Sequence, residues 1–122
     1  MTKSTVYVVQ APRNAGHVDF SSAADFGKVK FILRDNAMAL SSPHETLEEI
    51  RRQLENFGPD DYITSISGDP AASFMAGLCL PESYDGPIQW LRWERIRDEN
   101  GNRTTKGFYV PATIDLGYDQ LD

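Results

Sequence analysis

Arg92, Arg95, Arg97, Arg103 and Lys106 lie close along the chain to Trp90, Trp93, Phe108 and Tyr109, the densest gathering of chemistry-bearing side chains in the sequence. Guanidinium groups interleaved with indole rings bind through stacking, cation–π contact and bidentate hydrogen bonds. Protein hot spots and single-stranded nucleic-acid sites both use that chemistry. Trp90, Arg92, Trp93, Arg95, Arg97 and Arg103 therefore form the candidate partner-binding set. Ordinary inside–outside patterning of a half-exposed edge strand produces the same alternation. Five cations against Glu94, Asp98 and Glu99 leave this stretch at +2, and so the remainder of a chain of net charge −6 at −8.

The turn Ser67-Gly68-Asp69 is a second candidate, for a small ligand or nucleotide. An uncharged run, Tyr62-Ile63-Thr64-Ser65-Ile66, passes there into an uncharged helix. In open α/β sheets, ligands sit where strands feed helix N-termini. Each residue also has a structural reading. Asp69 is placed as N-cap, Pro70 as the first helical residue and Gly68 as a backbone position without side-chain obstruction. Ser65, Ser67 and Ser73 offer hydroxyls that so near a turn mostly serve the backbone. The negative Asp69 opposes an anion, and neither a Walker-type loop nor a Gly-x-Gly-x-x-Gly run surrounds it.

Catalytic signatures are missing from the sequence. Cys79 falls in the apolar helix, where a thiol is normally inert, and neither His17 nor His44 can be tied to it. The two histidines occupy different elements with no clustered cysteine, which gives zinc no ligand set. Glu48-Glu49 and Asp60-Asp61 are adjacent pairs, so their carboxylates point apart rather than at one bond. The expectation is a non-enzymatic protein with no cofactor and no metal.

The elements that must position these residues are legible from pattern. Thr5–Gln10 is β-branched and aromatic and stops at Ala11-Pro12, as a first strand does. Within 19–27, Ser or Asp caps and a Gly stop predict one or two helical turns. Lys28–Arg34 reads as a second strand. Ser42-Pro43-His44-Glu45 presents a capping box, and Leu47, Ile50, Leu54 and Phe57 follow at helical spacing until Gly58-Pro59. Glu48 and Arg52 are spaced for an i,i+4 pair on the solvated face. The 62–66 run reads as a central strand covered on both faces. Pro70–Leu80 is a charge-free helix that must be buried on most sides or covered by a partner, a second copy included. Gly77 within it implies close packing against a neighbour. Ile88–Arg97 and Gly107–Ile114 form a hairpin about Asn100-Gly101, with Pro111 suited to an edge strand.

Together these predict one α/β domain over residues 1–116, followed by an acidic tail at 117–122. The domain is a mixed open sheet of about five strands with two main crossover helices and a C-terminal antiparallel hairpin. A chain of 122 residues, 40% apolar and 25% charged, suffices for such a core without staples. The single cysteine excludes an intramolecular disulfide and fits a reducing cytoplasm. The N-terminal residues carry no leader pattern, and no run approaches the ~18 apolar residues of a membrane span. The acidic balance disfavours a duplex-DNA coat protein, which needs many phosphate-neutralising cations. Solubility explains that charge better than mimicry of DNA does.

Val6-Tyr7-Val8-Val9-Gln10-Ala11-Pro12, Asp25-Phe26-Gly27, Asp60-Asp61-Tyr62, Gly68-Asp69-Pro70, Leu91-Arg92-Trp93 and Ile114-Asp115-Leu116 are short motifs spread over most of the chain. In order and spacing this series resembles small proteins encoded by tailed bacteriophages, whose function is generally unassigned. The resemblance implies a source, and through it a role in binding and modulating a host protein in the host cytoplasm.

Overall fold

The computed structural model describes residues 4–12, 20–65 and 68–115. Strand β1 (Thr5–Gln10) pairs in parallel with β2 (Lys28–Leu33) on one side and β3 (Tyr62–Thr64) on the other. Strand β4 (Ile88–Arg97) continues the parallel sheet, and β5 (Arg103–Ile114) closes it antiparallel, in the order β2-β1-β3-β4-β5. This is the mixed five-stranded α/β sheet read from the sequence. The uncharged β3 stands at its centre, and Pro111 stands on an edge strand, where its missing N–H costs no ladder bond to a further strand.

The near-continuous apolar run of β1 follows from burial on both faces. Tyr7 and Val9 face helices α1 (Pro43–Leu54) and α2 (Pro70–Cys79), packing with Ile50, Leu54, Ile63 and Met75. Val6 and Val8 face the other way, against Ala23, Leu91 and Tyr109, with Phe20 and Phe26 at the margin. The turn predicted within 19–27 is a single 3₁₀ turn, Ala23–Asp25. Each fully buried Ile or Leu contributes about 1.5–3 kcal/mol, so Ile50 and Leu54 alone fasten α1 to the sheet.

Local chemistry departs from expectation at several points. Ser42 stands at the N-cap of α1 but makes no side-chain cap bond. The Ser42 carbonyl instead accepts from the Thr46 N–H and hydroxyl, both at 3.0 Å, and that hydroxyl also reaches the Ala39 carbonyl at 3.1 Å. Arg52 binds Glu49 rather than Glu48, because Glu48 is engaged by His44 at 2.9 Å. Strand β3 stops at Thr64, short of the predicted 62–66, with Ile66 outside the described residues. Strand β5 starts four residues earlier than predicted because the turn delivers Arg103 directly opposite Arg97. The acidic tail at 117–122 and His17 also lie outside the described residues.

The largest departure concerns α2. Ala72, Met75, Ala76 and Cys79 are buried against the sheet and α1, yet Phe74 is 68% and Leu78 56% exposed. Among the described residues a Cβ on Gly77 would meet nothing within 4 Å, so none of them supplies the close packing predicted for it. The glycine costs the helix about 1 kcal/mol relative to alanine, with no packing return from the described residues.

Candidate functional site

The hairpin extends past the rest of the sheet. Strand β3 ends at Thr64, whose hydroxyl donates to the Leu91 carbonyl, and among the described residues β4 pairs from Arg92 onward with β5 alone. The result is a two-stranded arm with an irregular register between Arg95 and Arg97. Its tip is organised by Asp98, whose Oδ1 accepts from the N–H groups of Asn100 (2.9 Å) and Asn102 (2.8 Å). Gly101 turns the chain at φ +82°, a conformation that L side chains rarely adopt.

Strand alternation divides the predicted partner-binding set between two surfaces. Trp90 lies on the helix side, half-buried against the core beneath α2. Arg92 shares that side and pairs with Glu94 two residues on. Trp93 lies on the opposite side, edge-on to Tyr109 with ring centroids 4.9 Å apart, and the Tyr109 N–H donates to Ser22 Oγ at 3.0 Å. Trp93 is thus part of the second core. Arg95 and Arg97 share its side but stand in solvent, donating to the carbonyls of Thr104 (3.5 Å) and Gly101 (2.9 Å). The backbone of Arg103 stands in register with that of Arg97. A guanidinium has five donors, so Arg95 and Arg97 retain capacity for a partner after these contacts.

Gly68 and Asp69 stand at the predicted strand-to-helix turn, while Ser67 lies outside the described residues. Asp69 Oδ1 accepts from the Ala71 N–H at 3.0 Å, which confirms it as the cap of α2. The turn sits beside the switch point between β1 and β3, where chain connections leave in opposite directions and open α/β sheets place ligands. A side chain occupies that position here. Gln10, 2% exposed, donates from Nε2 to the carbonyls of Arg34 (3.0 Å) and Ala37 (2.7 Å) and accepts at Oε1 from the Asp69 N–H (2.8 Å). Gly68 is required for this arrangement, since its φ is +101° and a Cβ would fall 2.2 Å from Gln10 Oε1. Sequence reasoning passed over Gln10. The available signal was one amide ending an apolar strand at the edge where the switch point lies.

Between α2, the 81–87 loop and the sheet lies an apolar cleft of about 290 Å³, with Ala76, Gly77, Ile88, Trp90 and Ile114 among its walls. Cys79 is not in it. That thiol is buried toward α1, and burial pushes its pKa up, which makes it a poor nucleophile. Among the described residues no three metal-ligating side chains come together, and no helix is long and apolar enough to cross a membrane.

A small open α/β sheet carrying a charged hairpin arm is the class of protein these features define. The family model described as Phage Pam3 gp32-like protein matches residues 4–102, from the start of the sheet through β4 and the arm's turn. The chain belongs to that family and is a phage protein, as its resemblance to tailed-phage proteins implied. No curated protein and no solved structure matches the chain.

Proposed function

We propose that this phage protein is a non-enzymatic binding module whose β4–β5 arm contacts and modulates a host protein through an acidic patch on that protein. The observation that carries the reading is the segregation of charge onto the arm: +2 on a projecting two-stranded ribbon, against −8 over the remainder of the chain. A cationic ribbon standing off an acidic body steers an acidic surface to its exposed guanidinium groups and repels it elsewhere. Arg95 and Arg97 are the contact residues in this reading, with Arg103 beside them in register and Arg92 on the reverse side. Trp90 and Trp93 serve as packed supports facing opposite ways, which favours protein contact over a stacking platform for single-stranded nucleic acid. The nucleotide alternative at Gly68-Asp69 has less support, because Gln10 and the Asp69 carboxylate already engage the first N–H groups of α2.

Immobilised protein incubated with bacterial lysate tests the proposal. Wild type is expected to retain a host protein in a salt-sensitive manner, and the Arg95→Glu, Arg97→Glu double variant to lose it. An identical set of retained proteins for both would remove the arm from the function. Trp93→Ala does not discriminate, since it also opens the core.

A further inference from the structure

We infer that Trp93 and Thr104 are positioning residues for Arg95 and Arg97: an indole laid over Gly107 and a hydroxyl set into a bulge hold the arm in one shape before any partner arrives. In this role they deepen the proposed function, and they depend on it only in taking Arg95 and Arg97 as the contact residues. The arm needs such support. A two-stranded ribbon in water is marginally stable on its own, and among the described residues β4 pairs with β5 alone from Arg92 onward.

The base of the arm is held on the side away from the helices. A Cβ on Gly107 would fall 2.5 and 2.7 Å from Cζ2 and Cε2 of Trp93, and it would also strike the Glu94 carbonyl. The backbone of Gly107 has no positive φ, so close approach and not conformation calls for glycine there. The indole crosses from β4 onto β5 as a diagonal contact, since the register partner of Gly107 is Arg95. Its other contact leads back to the body. Trp93 meets Tyr109 edge-on at 4.9 Å, Tyr109 stacks on Phe20 at 6.2 Å, and Phe20 meets Phe31 of β2 at 5.4 Å. With the Tyr109 N–H fixed on Ser22 Oγ, a continuous aromatic path runs from the far edge of the sheet to the arm.

Past Gly107 the ladder is interrupted. Arg95 stands opposite Gly107 and Arg97 opposite Arg103, so residues 104–106 of β5 stand against Ile96 alone. A bulge of this kind bends its strand and breaks the regular pairing. Thr104 bridges the gap. Its hydroxyl donates to the Ile96 carbonyl and accepts from the Lys106 N–H at 3.2 Å, so one oxygen joins the two strands and the two ends of the bulge. The Thr104 carbonyl accepts from Arg95 Nη1 at 3.5 Å, which brings the residue that closes the bulge to bear on a guanidinium the arm presents. A contact surface already held in its bound shape loses less freedom on binding, and that is what the two supports supply to Arg95 and Arg97.

Amide hydrogen exchange of the full chain, followed by NMR with no partner present, tests the inference. Arm amides at 94–97 and 104–108 are expected to be protected in wild type and to exchange at least about tenfold faster in Trp93→Leu and in Thr104→Val. Thr104→Val removes the hydroxyl at nearly constant volume. Trp93→Tyr and Thr104→Ser should restore most of the protection, because they return a flat ring and a hydroxyl. Val8→Ala is the control, since it weakens the core that Trp93 packs against from β1. It should speed exchange in the central strands and leave the arm amides unchanged. Unprotected arm amides in wild type overturn the proposal, as does an arm loosened equally by Trp93→Leu and Val8→Ala, in which case Trp93 acts only through the core. Unchanged protection in Trp93→Leu or Thr104→Val, or a loss that the conservative variant does not restore, overturns it for that residue. Capture from lysate is a separate outcome: retained proteins that ignore the arm reject the proposed function and leave the exchange result standing.

Discussion

Gln10 Oε1 accepts the Asp69 N–H at 2.8 Å, joining the end of β1 to the start of α2 across 59 positions of sequence. The same amide holds the carbonyls of Arg34 and Ala37, so one side chain ties two loops to the end of β1 at one edge of the sheet. Gln10→Leu preserves the apolar stem but takes the partner from the Asp69 N–H and the Ala37 carbonyl, while the Arg34 carbonyl keeps its bond from the Ala37 N–H. Each orphaned buried group costs about 1–3 kcal/mol, with the lower end applying where water can reach it. The expected loss is about 2 kcal/mol in urea-induced unfolding. A variant as stable as wild type would show that the amide is not the tie described.

Gly68→Ala tests the same junction from the other side. Its Cβ would lie 2.2 Å from Gln10 Oε1 at a backbone φ of +101°, so the substitution carries both a clash and a conformational cost. A loss on the order of 2 kcal/mol is expected. In a Gln10→Ala background the 2.2 Å clash with Oε1 is removed, while the 2.9 Å approach to the Cβ of residue 10 and the conformational cost persist. The double-mutant cycle should therefore show a coupling of at least ~0.5 kcal/mol between the two sites. Strict additivity would place the whole effect in the backbone.

The sheet was legible because its signals are local. The β-branched run of β1, the apolar spacing of α1 and the Asn100-Gly101 turn each depend on neighbours a few residues away, and the structure has them where expected. Contacts set by tertiary geometry were not legible. Glu48 and Arg52 have the spacing of an ion pair, but His44 and Glu49 compete for them and prevail. The Trp/Arg set reads as one cluster along the chain, yet strand alternation sends Trp90 and Trp93 to opposite faces. A glycine inside a helix implies a close neighbour, yet among the described residues none lies within 4 Å of a Cβ on Gly77. Gln10 escaped notice because its three partners come from loops that only the folded sheet brings together.

Gly77→Ala is expected to stabilise the isolated chain. None of the described residues lies within 4 Å of the added methyl, so the helix gains the propensity difference of about 1 kcal/mol without strain against them. The melting temperature should rise by a few degrees, measured at a dilution where the chain is monomeric. A fall would mean that the methyl meets something in the folded chain, and would overturn the account of α2 as a helix with an open flank.

Alkaline pH should weaken the fold through two buried groups. Burial raises the Cys79 thiol above its ordinary 9.0, and burial together with nearby Asp61 raises the Tyr7 phenol above its ordinary 10.0. Both are neutral when folded, and the unfolded chain loses each proton first as pH rises. The unfolded state then binds fewer protons, so stability falls with increasing pH. The contribution is complete below the ordinary thiol value, and it declines through the thiol range and then the phenol range. Urea midpoints measured from neutral pH upward should fall in that order. Cys79→Ala should remove the earlier part of the decline and leave the later part, which belongs to Tyr7. A midpoint that stays level past pH 10 would show that neither group resists ionisation in the fold.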